Sequence, residues 1–162
     1  MKIMTEVSIN KQARLSEHFT LAEMCKTSAK TQDGNIPSHV HIENLKRLCG
    51  WLEMLRSEWN KRYGEGDDPI VINSGYRSEA VNKAVGGVKG SNHLTGCAAD
   101  IRVAGIEQLV RYATILLDIS DESQEDFDEL LLERSPRGGY WLHFAVRPSD
   151  NRRKVRLIQS LH

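Results

Sequence analysis

The sequence predicts an α+β domain built on a small, largely antiparallel sheet packed with helices. Three observations carry that prediction. Two stretches place apolar residues at steps of three and four, the period of an amphipathic helix. Short strand-like runs follow these helices without a regular βαβ rhythm, which argues against a parallel sheet. A Pro- and Gly-containing turn at 135–139 separates two of those runs and reads as a hairpin connection. The 162 residues suit one domain with one sizeable core, and no internal repeat or linker interrupts them.

Taken in order, residues 1–15 read as a polar, extended arm, 16–148 as the domain, and 149–162 as a basic C-terminal tail. A short helix is expected within 16–24, with Thr20 and Glu23 at capping-box spacing and Phe19 at the staple position. Residues 26–36 are loop by composition. The clearest helix covers about 39–62, where Ile42, Leu45, Leu48, Leu52, Leu55 and Trp59 form one stripe. A Gly- and Asp-rich break ends it, and Ile70, Val71 and Ile72 make a short buried strand. Ser78 caps a helix over 79–85 that Gly86 and Gly87 terminate. A strand follows from Ala98, and Ile106, Leu109, Val110, Ala113, Leu116 and Leu117 define the second amphipathic helix. The acidic stretch 118–126 reads as a solvated connector before strands at 128–133 and 140–146.

Composition narrows the function. Lys plus Arg equals Asp plus Glu at 22 each, so the chain lacks the basic excess of a typical nucleic-acid binder. Arg147, Arg152, Arg153, Lys154 and Arg156 crowd the C-terminal end, and a solvated tail accounts for them better than a nucleic-acid contact. Cys25, Cys49 and Cys97 form neither a CxxC pair nor an even set, which gives no disulfide framework and no thiolate metal site. No apolar run has the length of a membrane span or a signal-peptide core, so a cytoplasmic site of synthesis is expected.

The stretch Gly90-Ser91-Asn92-His93-Leu94-Thr95-Gly96-Cys97-Ala98-Ala99-Asp100 departs from packing logic. A loop feeding a strand can bring the His93 imidazole and the Asp100 carboxylate to one point, and both are good zinc donors. His143 is the third candidate. Alternation along 140–146 puts Trp141, His143 and Ala145 on one face and the more apolar Leu142, Phe144 and Val146 on the other. His143 therefore leaves the core face, although a single strand histidine also serves as an ordinary hydrogen-bonded residue. Three protein ligands with a fourth position left to water is the pattern of a catalytic zinc.

A hydrolytic zinc site also needs a base. If 135–139 form the turn, Arg134 pairs with Tyr140, Glu133 with Trp141 and Leu131 with His143. Glu133 then shares the face of His143 one diagonal step away, and a one-residue slip would remove it. An exposed strand-end carboxylate is the other account of Glu133, and Glu129 lies on the same face but farther along. Arg77 leaves a strand in a Ser-Gly-Tyr-Arg-Ser turn, where its guanidinium would grip a substrate oxygen or tie the turn to a neighbouring carboxylate. Ser91 suits a contact to substrate, support of a ligand, or capping of a backbone group.

Ser74-Gly75-Tyr76-Arg77-Ser78, then Ser91-x-His93-x-x-Gly96-x-Ala98-x-Asp100, then Trp141-x-His143 resembles the zinc D-Ala-D-Ala carboxypeptidase family. That family includes phage and bacterial peptidoglycan peptidases and shares its fold with the Hedgehog signalling domain. The resemblance spans about residues 16–148, and Phe19-x-x-x-Glu23 looks like a compact branch found in prophages and cell-wall-modifying proteins. It implies one zinc ion per chain held by His93, Asp100 and His143, with Arg77 orienting substrate; Ser91 and Trp141 are the further candidates for substrate contact. The implied reaction is hydrolysis of an amide bond in peptidoglycan stem peptides or cross-links, by a monomer that reaches the wall by another route. Much of the family carries its acidic base three residues before the last His. That position is Tyr140 here, so Glu133 is argued from strand pairing, and a non-catalytic zinc-containing module that binds wall peptides is the competing expectation.

Overall fold

Five strands, in the order β1-β2-β4-β3-β5, form one sheet in the computed structural model, which describes residues 10–161. Along the chain the elements are α1 (Leu21–Met24), α2 (His39–Arg62), β1 (Ile72–Ser74) and α3 (Glu79–Ala84). A 3-10 turn (Asn92–Thr95), β2 (Ala98–Arg102), α4 (Ile106–Ser123), β3 (Glu129–Arg134), β4 (Tyr140–Ala145) and β5 (Lys154–Gln159) follow. β1, β2, β4 and β3 pair antiparallel, and only β5 runs parallel to its neighbour β3. The class is α+β, as the sequence predicts.

Alternation along the central strands divides the sheet into two faces. Ala99 and Ile101 of β2, Leu130 of β3 and Leu142 and Phe144 of β4 are fully buried beneath the helices. α2 supplies Leu45, Leu48, Leu52 and Leu55 to that core, and α4 supplies Leu109, Ile115 and Leu116. Trp51 and Phe127 both pack against Phe144, at ring-centroid distances of 5.4 and 5.8 Å. Deleting one such ring costs about 3–5 kcal/mol, so this layer fixes the sheet on which the polar face is built. Ser38 caps α2 by accepting from the His41 N–H, and the His41 ring accepts from the Ser38 N–H in return.

Several elements differ in extent from the sequence expectation. Within 16–24 only Leu21–Met24 is helical, because Leu15 donates its N–H to the Phe19 carbonyl and Arg14 bridges Thr20. Thr20 still caps the helix, and Phe19 beside it is buried. Of the expected arm, residues 1–9 lie outside the described residues. Residues 11–14 turn back on α1, with the Lys11 and Ala13 carbonyls accepting from Ala22 and Leu21.

α4 continues to Ser123, through about two thirds of the expected acidic connector, because Ile119 and Ser120 face inward and are buried. At the C-terminus, residues 154–159, expected within a basic tail, form β5. The outer edge of β3 offers a full row of backbone partners, and Arg152 and Arg153 anchor the approach on Asp128 and on Ser120 with Asp121. Among the described residues no helix is long and apolar enough to cross a membrane.

Candidate metal centre

The polar face of the sheet carries His143 and Trp141 from β4, Asp100 from β2, and Glu129, Leu131 and Glu133 from β3. These residues line a cleft of about 650 Å³. The β3–β4 register pairs Arg134 with Tyr140, Glu133 with Trp141 and Leu131 with His143, the alignment expected from the turn. Asp100 pairs with His143 across β2 and β4, which puts a carboxylate and an imidazole side by side on one face.

His93 reaches the same point from the 3-10 turn. Ser91 caps that turn by accepting from the His93 N–H, and Gly96 closes it with φ of +76°. A side chain at Gly96 would also meet the His41 carbonyl at 2.6 Å, so glycine is needed twice over. The turn is fastened to the loop after β1, where Arg77 donates its backbone N–H to the His93 carbonyl.

His93, Asp100 and His143 each offer one ligand atom within 4.8 Å of the others, the one such group among the described residues. His93 Nε2 lies 3.3 Å and His143 Nδ1 3.1 Å from the same oxygen, Asp100 Oδ1. Donors 2.0–2.2 Å from a tetrahedral zinc stand roughly 3.3 Å apart, so these separations suit a shared ion. The outward atoms of all three are held. His93 Nδ1 contacts the Gly75 carbonyl at 2.7 Å, His143 Nε2 contacts Glu129 Oε1 at 3.2 Å, and Asp100 Oδ2 accepts from Arg77 Nη2 at 3.0 Å. Such outer partners fix the tautomer of each ring and leave the inward nitrogen its lone pair.

In the metal-free protein the same contacts act as ion pairs. Burial alone would raise the Asp100 carboxyl, but the adjacent His93 and His143 hold it well below the usual carboxylate range. Burial also opposes charge on His143, yet hydrogen bonds to Asp100 and Glu129 lift its pKa to about 9. Glu129 is lowered to about 2, first by its bond to His143. Glu133 moves the other way: burial raises it, and the neighbouring Asp100 adds to the rise.

Glu129, which strand spacing sets on the same face but farther along, reaches the site. It sits two positions from the residue opposite His143, and the imidazole leans toward it. Asn92, which no spacing marks as functional, supports it. Its Nδ2 bridges Glu129 Oε1 at 2.6 Å and Asp128 Oδ2 at 2.7 Å, while its Oδ1 accepts from Arg147 Nε. The Asp128 side chain is fully buried and held by Arg147 and Arg152. Burial would raise its pKa, but the Arg152 and Asn92 hydrogen bonds lower it to about 2. The visible signal for both residues was the His-adjacent Asn and the Asp128-Glu129 pair opening a strand.

Arg77 lines the cleft, and its guanidinium is engaged with Asp100, Ser74 and Asn82. Ser91 and Trp141 line it too, the first with its hydroxyl oxygen accepting from the turn. Tyr140 alternates to the opposite face from His143; of the two β3 carboxylates that line the cleft, Glu129 contacts the His143 ring, and Glu133 lies opposite Trp141.

An α+β chain with a two-histidine, one-aspartate cluster on its open sheet face has the form of a mononuclear metal-site protein. The comparisons give the family. Residues 17–119 match the peptidase M15 family, and the chain belongs to it. The zinc D-Ala-D-Ala carboxypeptidase of Streptomyces albus G is 31% identical over 84 residues, covering 52% of this chain. The alignment takes in 31% of that protein's length, so the two share a segment rather than their full extent.

Proposed function

We propose that this chain is a zinc-dependent peptidase that hydrolyses an amide bond in the peptide part of peptidoglycan, as a carboxypeptidase or an endopeptidase. The observation that carries the reading is the convergence of His93, Asp100 and His143 in the cleft of an M15 family chain. Two imidazoles and a carboxylate, with outer partners on all three, are a donor set that fits one zinc ion and leaves a fourth position open. When bound, zinc supplies a Lewis acid that polarises the scissile carbonyl and makes water acidic enough to ionise near neutral pH.

The chain's own residues do the rest. Glu133 lines the same cleft with its pKa raised by burial, so in this reading it takes a proton from the attacking water and returns it to the leaving amine. Arg77 fixes Asp100 through Oδ2 and turns the remainder of its planar fork toward substrate oxygen. Trp141 and Ser91 on the cleft walls contact the peptide on either side of the bond. The protein acts as a monomer in this reading.

The test is digestion of purified peptidoglycan by zinc-loaded protein, following new amino groups with and without a chelator. Chelator-sensitive release supports the peptidase. Metal-dependent binding of wall peptides with no release would replace it with a non-catalytic module, the alternative that Tyr140 at the family's usual acidic position keeps in view.

A further inference from the structure

The chain is neutral overall, but its cleft is not. Five basic residues line it (Arg77, Lys89, Arg147, Arg152 and Lys154) against three acidic ones (Asp100, Glu129 and Glu133). The three arginines are committed, Arg77 to Asp100 and Arg147 and Arg152 to Asp128. Lys89 is exposed on the rim loop. Lys154 is different, because it is half-buried at the start of β5 and belongs to the cleft floor. It pairs in register with Glu129, yet among the described residues its ammonium makes no ion pair or hydrogen bond. A cleft-lining lysine with no carboxylate in ion-pair reach leaves its ammonium available to an anionic ligand.

Resting on the peptidase reading, we infer that Lys154 is a specificity residue, which recognises a non-terminal carboxylate on the substrate peptide. The sheet geometry sets the distance. Lys154 lies two strands from β4, opposite Ala145, hence two residues along from His143. Two interstrand spacings and two residues of rise put the Lys154 and His143 Cα atoms roughly 12 Å apart. The lysine stem spans about half of that gap. An extended bound peptide advances roughly 3.3–3.6 Å per residue, so the ammonium meets a group one to two residues from the scissile bond. A terminal carboxylate on the leaving residue lies closer to the bond than this. Leu131 and Ile158, on the same floor between the metal cluster and the sheet edge, supply the apolar surface that such a residue's stem would cross.

The experiment compares a synthetic stem pentapeptide whose non-terminal carboxylates are free with the same peptide carrying carboxamides there. Binding is read by calorimetry on the full, zinc-loaded chain in a Glu133→Gln background. With Lys154 in place, the free-carboxylate peptide is expected to bind about tenfold more tightly, the effect of one charge-assisted contact. Lys154→Arg should keep the preference, and Lys154→Met should bind the two peptides alike. Equal discrimination with lysine and methionine, or no preference in the lysine protein, overturns the inference. No hydrolysis of peptidoglycan by the zinc-loaded parent, with Glu133 in place and the carboxylate preference intact, would overturn the peptidase reading and leave the Lys154 contact standing.

Discussion

Asn92→Asp replaces one atom group and should damage the site more than its size suggests. In the native protein the amide donates to Glu129 at 2.6 Å and to Asp128 at 2.7 Å, bridging two carboxylates that Arg152 also approaches, at 2.8 Å from Asp128 and 3.8 Å from Glu129. A carboxylate there loses both bonds and adds a third negative charge. At charge separations of roughly 4 Å and an effective dielectric near 20, each new repulsion is about 4 kcal/mol. Arg147, which already donates to Asn92 Oδ1, and Arg152 on Asp128 cancel part of it. The net destabilisation of the metal-free protein at pH 7 should be about 3–5 kcal/mol, or a fall in Tm of roughly 6–20 °C at 2–4 °C per kcal/mol. The new carboxyl's folded pKa stands above its unfolded one, so the deficit is present at neutral pH and shrinks as pH falls through that raised value. Asn92→Ala removes the same bonds without adding charge, for about 3 kcal/mol. Thermal unfolding of both variants at pH 7 and pH 5 separates the two effects. An Asn92→Asp protein as stable as the parent at pH 7, or one whose deficit beyond Asn92→Ala ignores pH, would refute the reasoning.

Further outcomes are expected. Glu133→Ala should retain the metal and lose about 10²–10⁴-fold in turnover on peptidoglycan, measured as amino-group release at equal metal content. Unchanged turnover would remove Glu133 from the base role. Because the folded-state pKa of His143 is raised to about 9, its charged form stabilises the metal-free protein fully below about 6.5, by about 3 kcal/mol, and that contribution is lost as pH rises through 9. Denaturant titrations of the metal-free protein at pH 6 and pH 9.5 should show it, and His143→Gln should flatten the difference. Zinc at a thousandfold excess over its Kd should stabilise the parent by about 4 kcal/mol and Asp100→Asn far less, read from the shift in Tm.

The main helices and the hairpin were legible in the sequence because each rests on local periodicity. The α2 stripe, the β3–β4 register and the facing of His143 all follow from side-chain spacing. The three converging donors could be chosen because a strand face and a loop have short, countable offsets. What escaped depended on long-range pairing. β5 reads as part of a basic tail because Arg152, Arg153, Lys154 and Arg156 crowd its approach and first half, and only the open edge of β3 reveals its partner. Glu129 was set aside on strand distance, since the reach of the His143 ring toward it is a rotamer choice that spacing does not encode. The Asn92 bridge joins residues 36 and 37 positions apart, and no periodicity links them.

The measurement that bears most directly on the account is anomalous diffraction from crystals of the full chain grown with zinc. The account predicts one ion per chain at about 2.0–2.2 Å from His93 Nε2, an Asp100 carboxylate oxygen and His143 Nδ1, with His143 Nε2 still on Glu129 and a fourth position facing the cleft. A peak bound through His143 Nε2 would contradict the assigned role of Glu129. No peak at these residues would contradict the metal centre and the peptidase function built on it.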